Sequence, residues 1–397
     1  MPNTLKLRLS AMMFLQYFVM GATIPILSLY MKDHLGFAPV QIGVILAMGA
    51  AGMCVAPLVD ALFGERLLGP ERFLAVAQLA AACVMFLLSR QKEFLQFWAL
   101  YSVYALVFMP TVALTNAVAF HHVPDSKRGF GGIRMWGTVG WVAIAWLFGY
   151  VWLGAGGGLD DALTFSAVSS VVYGGYALTL PRTRVRGTFS LWKAVRMFGK
   201  PDLVLLCAVT FVAGIVHQYF YYGMSPFLSH IGFAEKHIMP AMSLGQVSEV
   251  VVLGMLGICL VKLGVKRALI IGLLTQALRY VVFAYGRHKL LMIAVMPTHG
   301  FCYGFFFTAA YIYVDSHSNP ATRGSVQQLY TIIVSGIGPF VGFLFAGKVA
   351  QFFTQPYGGA IDYVPFWLVP AALALAAALA IAVFFRETEP EAPDPGH

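Results

Sequence analysis

Long apolar runs that lack a recurring polar face constrain this chain more than any other feature. Leu203 to Phe211 and Leu373 to Phe385 are apolar on every side of a helix. A water-facing helix would show polar residues about every 3.6 positions. Hydrophobic residues make up 59% of the 397, and only 11% are charged. Soluble chains sit near 45–50% apolar, so lipid is the natural solvent for most of this surface. Runs of about 20 residues rich in Ala, Leu, Met and Phe read as helices, whereas barrel strands are short and alternating. The expected fold is therefore an all-α membrane protein.

Twelve spans are expected, near 9–30, 39–62, 73–89, 94–120, 133–154, 162–180, 203–228, 240–261, 267–285, 289–313, 325–347 and 363–385. The first run is longer than a signal-peptide core and no small-residue cleavage site follows it, so it is read as a retained span. With the amino terminus inside, the inner segments and span edges carry eighteen Lys or Arg and the outer ones seven. That asymmetry puts both termini in the cytoplasm. It also explains the net charge of +9 without a nucleic-acid partner, because the cations lie along inner loops and not on one face with stacking aromatics.

The longest connector, Pro181 to Asp202, carries six Lys or Arg after the sixth span. It divides the chain into an amino-terminal six-helix bundle at 1–180, a cytoplasmic linker at 181–202 and a carboxyl-terminal bundle at 203–386. Met-Pro-Thr at 109–111 in span four recurs at 296–298 in span ten, a short echo of a duplicated half. Two bundles with a seam between them are what alternating access requires. Residues 387–397, rich in Pro and acid, read as a disordered cytoplasmic tail.

Polar groups inside the spans carry the functional reading, since a charged side chain at mid-membrane costs about 2.5–3.5 kcal/mol or more. In span eight Gln246 and Glu249 stand three residues apart on one face. Glu249 there binds a polar solute, accepts a proton or enters a static ion pair, for which Arg279 in span nine is the candidate partner. In span five Arg134, Thr138 and Trp141 fall at i, i+4 and i+7, a stripe of cation, hydroxyl and aromatic plate suited to a polar ring. The plainer reading is a snorkelling Arg and an interfacial Trp. Gln218 and Tyr221 share one face of span seven while Tyr219 and Tyr222 share another, so one pair alone can line a given cavity; interfacial aromatics are the alternative. Span ten holds Pro297, His299, Gly300, Tyr303 and Gly304, where His299 either titrates or packs as a hydrogen-bonded ring.

The five cysteines stand singly within spans, without disulfide or metal spacing. No nucleophile–base pair or phosphate-cradling loop is present, and the glycines of 154–158 are followed by no lysine. Enzyme chemistry, cofactors and a bound metal are not expected.

Several segments together carry a family likeness: Leu5-Lys6-Leu7 with Phe14-Leu15-Gln16 and Tyr30; Phe108 to Thr111 with Asn116; Arg134 to Gly140; Gln246 to Glu249; Leu278-Arg279-Tyr280 with Phe283 to Gly286. In this order the chain resembles the nucleoside:proton symporters of the major facilitator superfamily, in particular their nucleoside- and xanthosine-transporting bacterial members. The resemblance implies twelve helices in two six-helix bundles. It also implies a protein of the bacterial inner membrane, working as a monomer, that takes up nucleosides by alternating access with protons as coupling ion. It assigns substrate contacts to Arg134, Thr138, Gln218, Gln246 and Glu249, with Trp141 where the family has Phe. It departs at Tyr221, where the family has Asn, and at His299, Tyr303 and Gly304, where it has Tyr, Phe and Asp. With that span-ten acid missing, Glu249 or His299 becomes the proton-coupling candidate. Another polar ring compound, a sugar or an aromatic carboxylate, and uncoupled nucleoside transport are the alternative functions. Gly64-Glu65-Arg66 with Arg72 resembles a degenerate form of the superfamily's gating loop.

Overall fold

The computed structural model describes residues 2–60, 68–123, 126–183, 200–318, 323–354 and 359–388, with backbone only at 126–129 and 323. Arg66 of the gating-loop likeness, most of the 181–202 linker and residues 389–397 of the tail lie outside these.

The described residues form twelve long helices: α1 Asn3–His34, α2 Pro39–Val59, α3 Pro70–Leu88, α4 Phe94–His122, α5 Phe130–Ala155, α6 Asp161–Ala177, α7 Pro201–His230, α8 Glu235–Leu263, α9 Val265–Tyr285, α10 Lys289–Ser316, α11 Gly324–Phe352 and α12 Tyr363–Phe384. Eleven are long and apolar enough to cross a membrane; α6, at 17 residues, is slightly shorter. Proline opens α2, α3 and α7, where the missing N–H would have had no partner and the ring's φ already suits a helix. Gly264 alone separates α8 from α9 at φ +76°, a left-handed value that disfavours any side chain. Helix α8 begins at Glu235, earlier than the hydropathy implies, and carries Pro240 within it.

Packing repeats after six helices. α1 packs on α5 and α6, α2 on α4, and α3 on α4 and α6; α7 packs on α11 and α12, α8 on α10, and α9 on α10 and α12. The two halves meet along α2 with α11 and α5 with α8. Glycine allows that approach: a Cβ on Gly43 would lie 2.6 Å from the Phe343 carbonyl oxygen, and one on Gly149 would lie 2.6 Å from that of Lys236. Outward-facing Val261 and Leu290 are 89% and 80% exposed, as lipid-facing side chains would be.

Inside the first half, Gln16 ties four helices together. Its Oε1 accepts from Thr111 Oγ1 at 3.2 Å, Thr115 Oγ1 at 3.1 Å and Gln78 Nε2 at 3.4 Å, and Thr115 meets the Tyr173 hydroxyl at 2.8 Å. Gln16 and Thr111, both part of the family likeness, thus hold the bundle together. The Met-Pro-Thr echo does not repeat in local conformation: Pro110 sits within continuous α4, whereas α10 breaks into a turn at Met296-Pro297.

Candidate functional site

A cavity of about 340 Å³ lies between the halves. Arg134, Thr138 and Trp141 line it from α5. Opposite stand Gln218 and Tyr221 of α7, Gln246 and Glu249 of α8, and His299 and Tyr303 of α10. The i, i+4, i+7 stripe on α5 therefore faces the cavity together, as does the Gln218/Tyr221 face of α7. Tyr219 and Tyr222 turn away: Tyr219 packs on Phe366, and the Tyr222 hydroxyl donates to the Pro39 carbonyl at 2.8 Å.

The Arg134 guanidinium lies 4.1 Å from the Tyr17 ring centroid. Glu249 faces the field of Arg134 across the cavity, and no direct ion pair joins it to another described residue. Gln246 Nε2 approaches the Tyr221 hydroxyl at 3.5 Å, while its Oε1 has no partner among the described residues. The cavity thus offers a cation, a carboxylate and carboxamides amid aromatic walls, a combination that binds polar rings rather than bare ions or lipids.

The expected Glu249–Arg279 pair is corrected by the structure. Arg279, 1% exposed, donates from Nη1 to His299 Nδ1 at 2.9 Å. Its guanidinium also lies 4.9, 5.1 and 5.9 Å from the ring centroids of Phe220, Tyr280 and Phe283. The helical phase of α9 turns Arg279 into the packing between helices, where aromatic faces and an imidazole receive it. Gly304 is also no cavity residue: a Cβ there would lie 2.7 Å from Val252 Cγ1, so the position belongs to the α8–α10 contact.

Tyr17 and His217 are among the lining residues that escaped the sequence reading. Tyr17 follows the Gln16 that was singled out, and only the packing of α1 on α5 sets it beneath Arg134. His217 shares a helical face with Gln218 and Tyr221, a signal the spacing carried; its ring lies 5.1 Å from that of His299.

The halves also touch at the end of the molecule remote from the termini. There Ser28 Oγ lies 3.1 Å from Ser225 Oγ, His34 Nε2 lies 3.4 Å from Glu235 Oε1, and Trp146 Nε1 donates to Ser243 Oγ at 3.0 Å. Each contact joins one half to the other.

The sequence model of the family described as "Nucleoside H+ symporter" matches residues 3–390. A putative nucleoside transporter of Escherichia coli, YegT, is 30% identical over 411 residues, covering 97% of this chain and 94% of that protein. The Escherichia coli xanthosine permease is 27% identical, with 96% of each chain covered. The crystal structure of the nucleoside transporter NupG superposes with a TM-score of 0.86 at 23% identity, covering 98% of this chain and all of that one. The match along nearly the whole length, on a fold of two repeated six-helix halves, shows that this chain belongs to the nucleoside H+ symporter family.

Proposed function

We propose that this protein takes up nucleosides across a bacterial inner membrane by alternating access, coupled to protons, as a monomer with both termini cytoplasmic. The observation that carries the reading is one cavity at the seam, where Arg134 and Glu249 face each other between two packed halves. A solute held there contacts both bundles at once, so its binding can favour their closure around it. In this reading Arg134, Thr138 and Trp141 hold it from the first half, and Gln218, Tyr221, Gln246, Glu249, His299 and Tyr303 from the second. Bundle boundaries near 1–180 and 203–386 follow the repeat in packing.

Coupling falls to Glu249. Its carboxylate faces the cavity with no direct counter-ion among the described residues, and Gly304 offers no second acid. His299 is the weaker alternative, because its Nδ1 is already engaged by Arg279.

A calorimetric screen of the purified protein against nucleosides, free bases, sugars and aromatic acids tests the substrate class. Nucleosides are expected to bind most tightly; preference for sugars or aromatic acids would displace the reading. Accumulation in proteoliposomes under an inward proton gradient tests coupling, and equilibration without accumulation would leave an uncoupled nucleoside transporter.

A further inference from the structure

Arg279 sits on α9, outside the cavity lining, yet among the described residues its one side-chain hydrogen-bond partner besides the Tyr280 hydroxyl is His299, which lines the cavity. A guanidinium has donors only, so at 2.9 Å the Nδ1 of His299 must be the acceptor. A neutral imidazole that accepts at Nδ1 carries its proton at Nε2. Nε2 has no partner among the described residues and is the remaining polar atom of a ring on the cavity wall.

The ring cannot easily exchange its edges. A Cβ on Gly245 would lie 3.0 Å from His299 Cβ and 3.2 Å from its Cγ, so α8 passes close behind the side chain. Phe220 and His217 flank the imidazole with centroids 5.2 and 5.1 Å away. The turn at Met296-Pro297, where the His299 N–H donates to the Met296 carbonyl at 3.1 Å, sets the start of the segment that carries it.

We propose that Arg279 is a positioning residue that locks His299 in its Nε2–H tautomer, so that the second half presents a fixed N–H donor selecting solutes with an acceptor atom at that point. Resting on the nucleoside reading above, this assigns the acceptor to the base, as a ring nitrogen or a carbonyl oxygen. A base that turns an N–H toward His299 would leave two donors facing each other, unpaired and desolvated.

Two measurements test it. The first is a nitrogen-15 spectrum of histidine-labelled protein in nanodiscs without solute, with the His299 signals assigned by their loss in His299→Phe. The expected spectrum shows a protonated Nε2 and an unprotonated Nδ1 at His299. Arg279→Lys, which retains a donor, is expected to keep that pattern, and Arg279→Met to lose it; should Arg279→Met not fold, the parent and Lys spectra decide. The second is calorimetry with a bound nucleoside and analogues each lacking one ring nitrogen or one carbonyl of the base. One analogue is expected to bind about tenfold more weakly to the parent protein but within about twofold of the complete nucleoside in His299→Phe. A protonated Nδ1, an Arg279→Met spectrum like the parent's, or a loss that persists in His299→Phe would overturn the proposal. Failure of every nucleoside to bind would instead overturn the proposed function, and the spectrum would still decide the tautomer.

Discussion

The guanidinium of Arg134 lies over the ring of Tyr17, 4.1 Å from its centroid, so helix α1 supports the cation that α5 presents to the cavity. A cation–π contact of this kind contributes about 0.5–2 kcal/mol, more when water is excluded. Tyr17→Leu is expected to weaken nucleoside binding about two- to thirtyfold by freeing Arg134, whereas Tyr17→Phe retains most of the affinity. Calorimetry on both variants checks this; equal losses would assign the effect to the hydroxyl and not to the ring.

Gln246 has an Oε1 without a partner among the described residues, beside the Tyr221 hydroxyl. Such an acceptor is suited to a ribose hydroxyl or a base N–H. Gln246→Ala is expected to reduce affinity about five- to a hundredfold, the range for stranding one buried polar group. Unchanged affinity in a correctly folded variant removes Gln246 from the site.

Glu249→Gln keeps the shape and hydrogen-bonding capacity of the side chain but cannot gain or lose a proton. The variant is expected to bind nucleoside and to catalyse counterflow, which needs no net driving force, while failing to accumulate nucleoside under an inward proton gradient. Proteoliposome assays of both activities separate the roles. Accumulation that survives the substitution would move coupling to His299 or another group.

Ser28 and Ser225 place their hydroxyls 3.1 Å apart across the seam, close enough for the paired cysteines to cross-link. Ser28→Cys with Ser225→Cys is expected to arrest transport under oxidation and to regain it on reduction, because this contact must part for the cavity to open at that end. Transport undiminished in fully cross-linked protein would show that the gate lies elsewhere.

Gly300 lets α10 press against α8. A Cβ there would lie 2.5 Å from both the Glu249 amide nitrogen and Ser248 Oγ. Backbone cannot give way as a flexible side chain can, so Gly300→Ala is expected to destabilise the protein by about 1–3 kcal/mol despite alanine's better helix propensity. Thermal unfolding in detergent measures it; a variant as stable as the parent would mean the two helices separate at no cost.

Much of the candidate site was legible before folding. Arg134, Thr138 and Trp141 fall on one stripe, Gln218 shares its face with Tyr221, and Gln246 lies one turn from Glu249. In each case the alignment follows from helical geometry within a single span. Tyr17 was not legible, because its relation to Arg134 depends on how α1 docks on α5. The Glu249–Arg279 pairing failed for the same reason: two opposite charges on neighbouring spans look like partners until the rotation of each helix is known.

Hydropathy, loop charge and helical periodicity are local properties, so the sequence alone determined the membrane environment, the number of spans and the polar faces within them. Which faces meet is a matter of packing between helices that lipid solvates almost equally well on any apolar side. Tertiary structure therefore decided that α5 faces α7, α8 and α10 around one cavity, and that Gly304 lies in a helix contact. It also decided that Arg279 reaches the cavity only through the imidazole of His299, since a buried guanidinium settles where acceptors and aromatic faces can satisfy it.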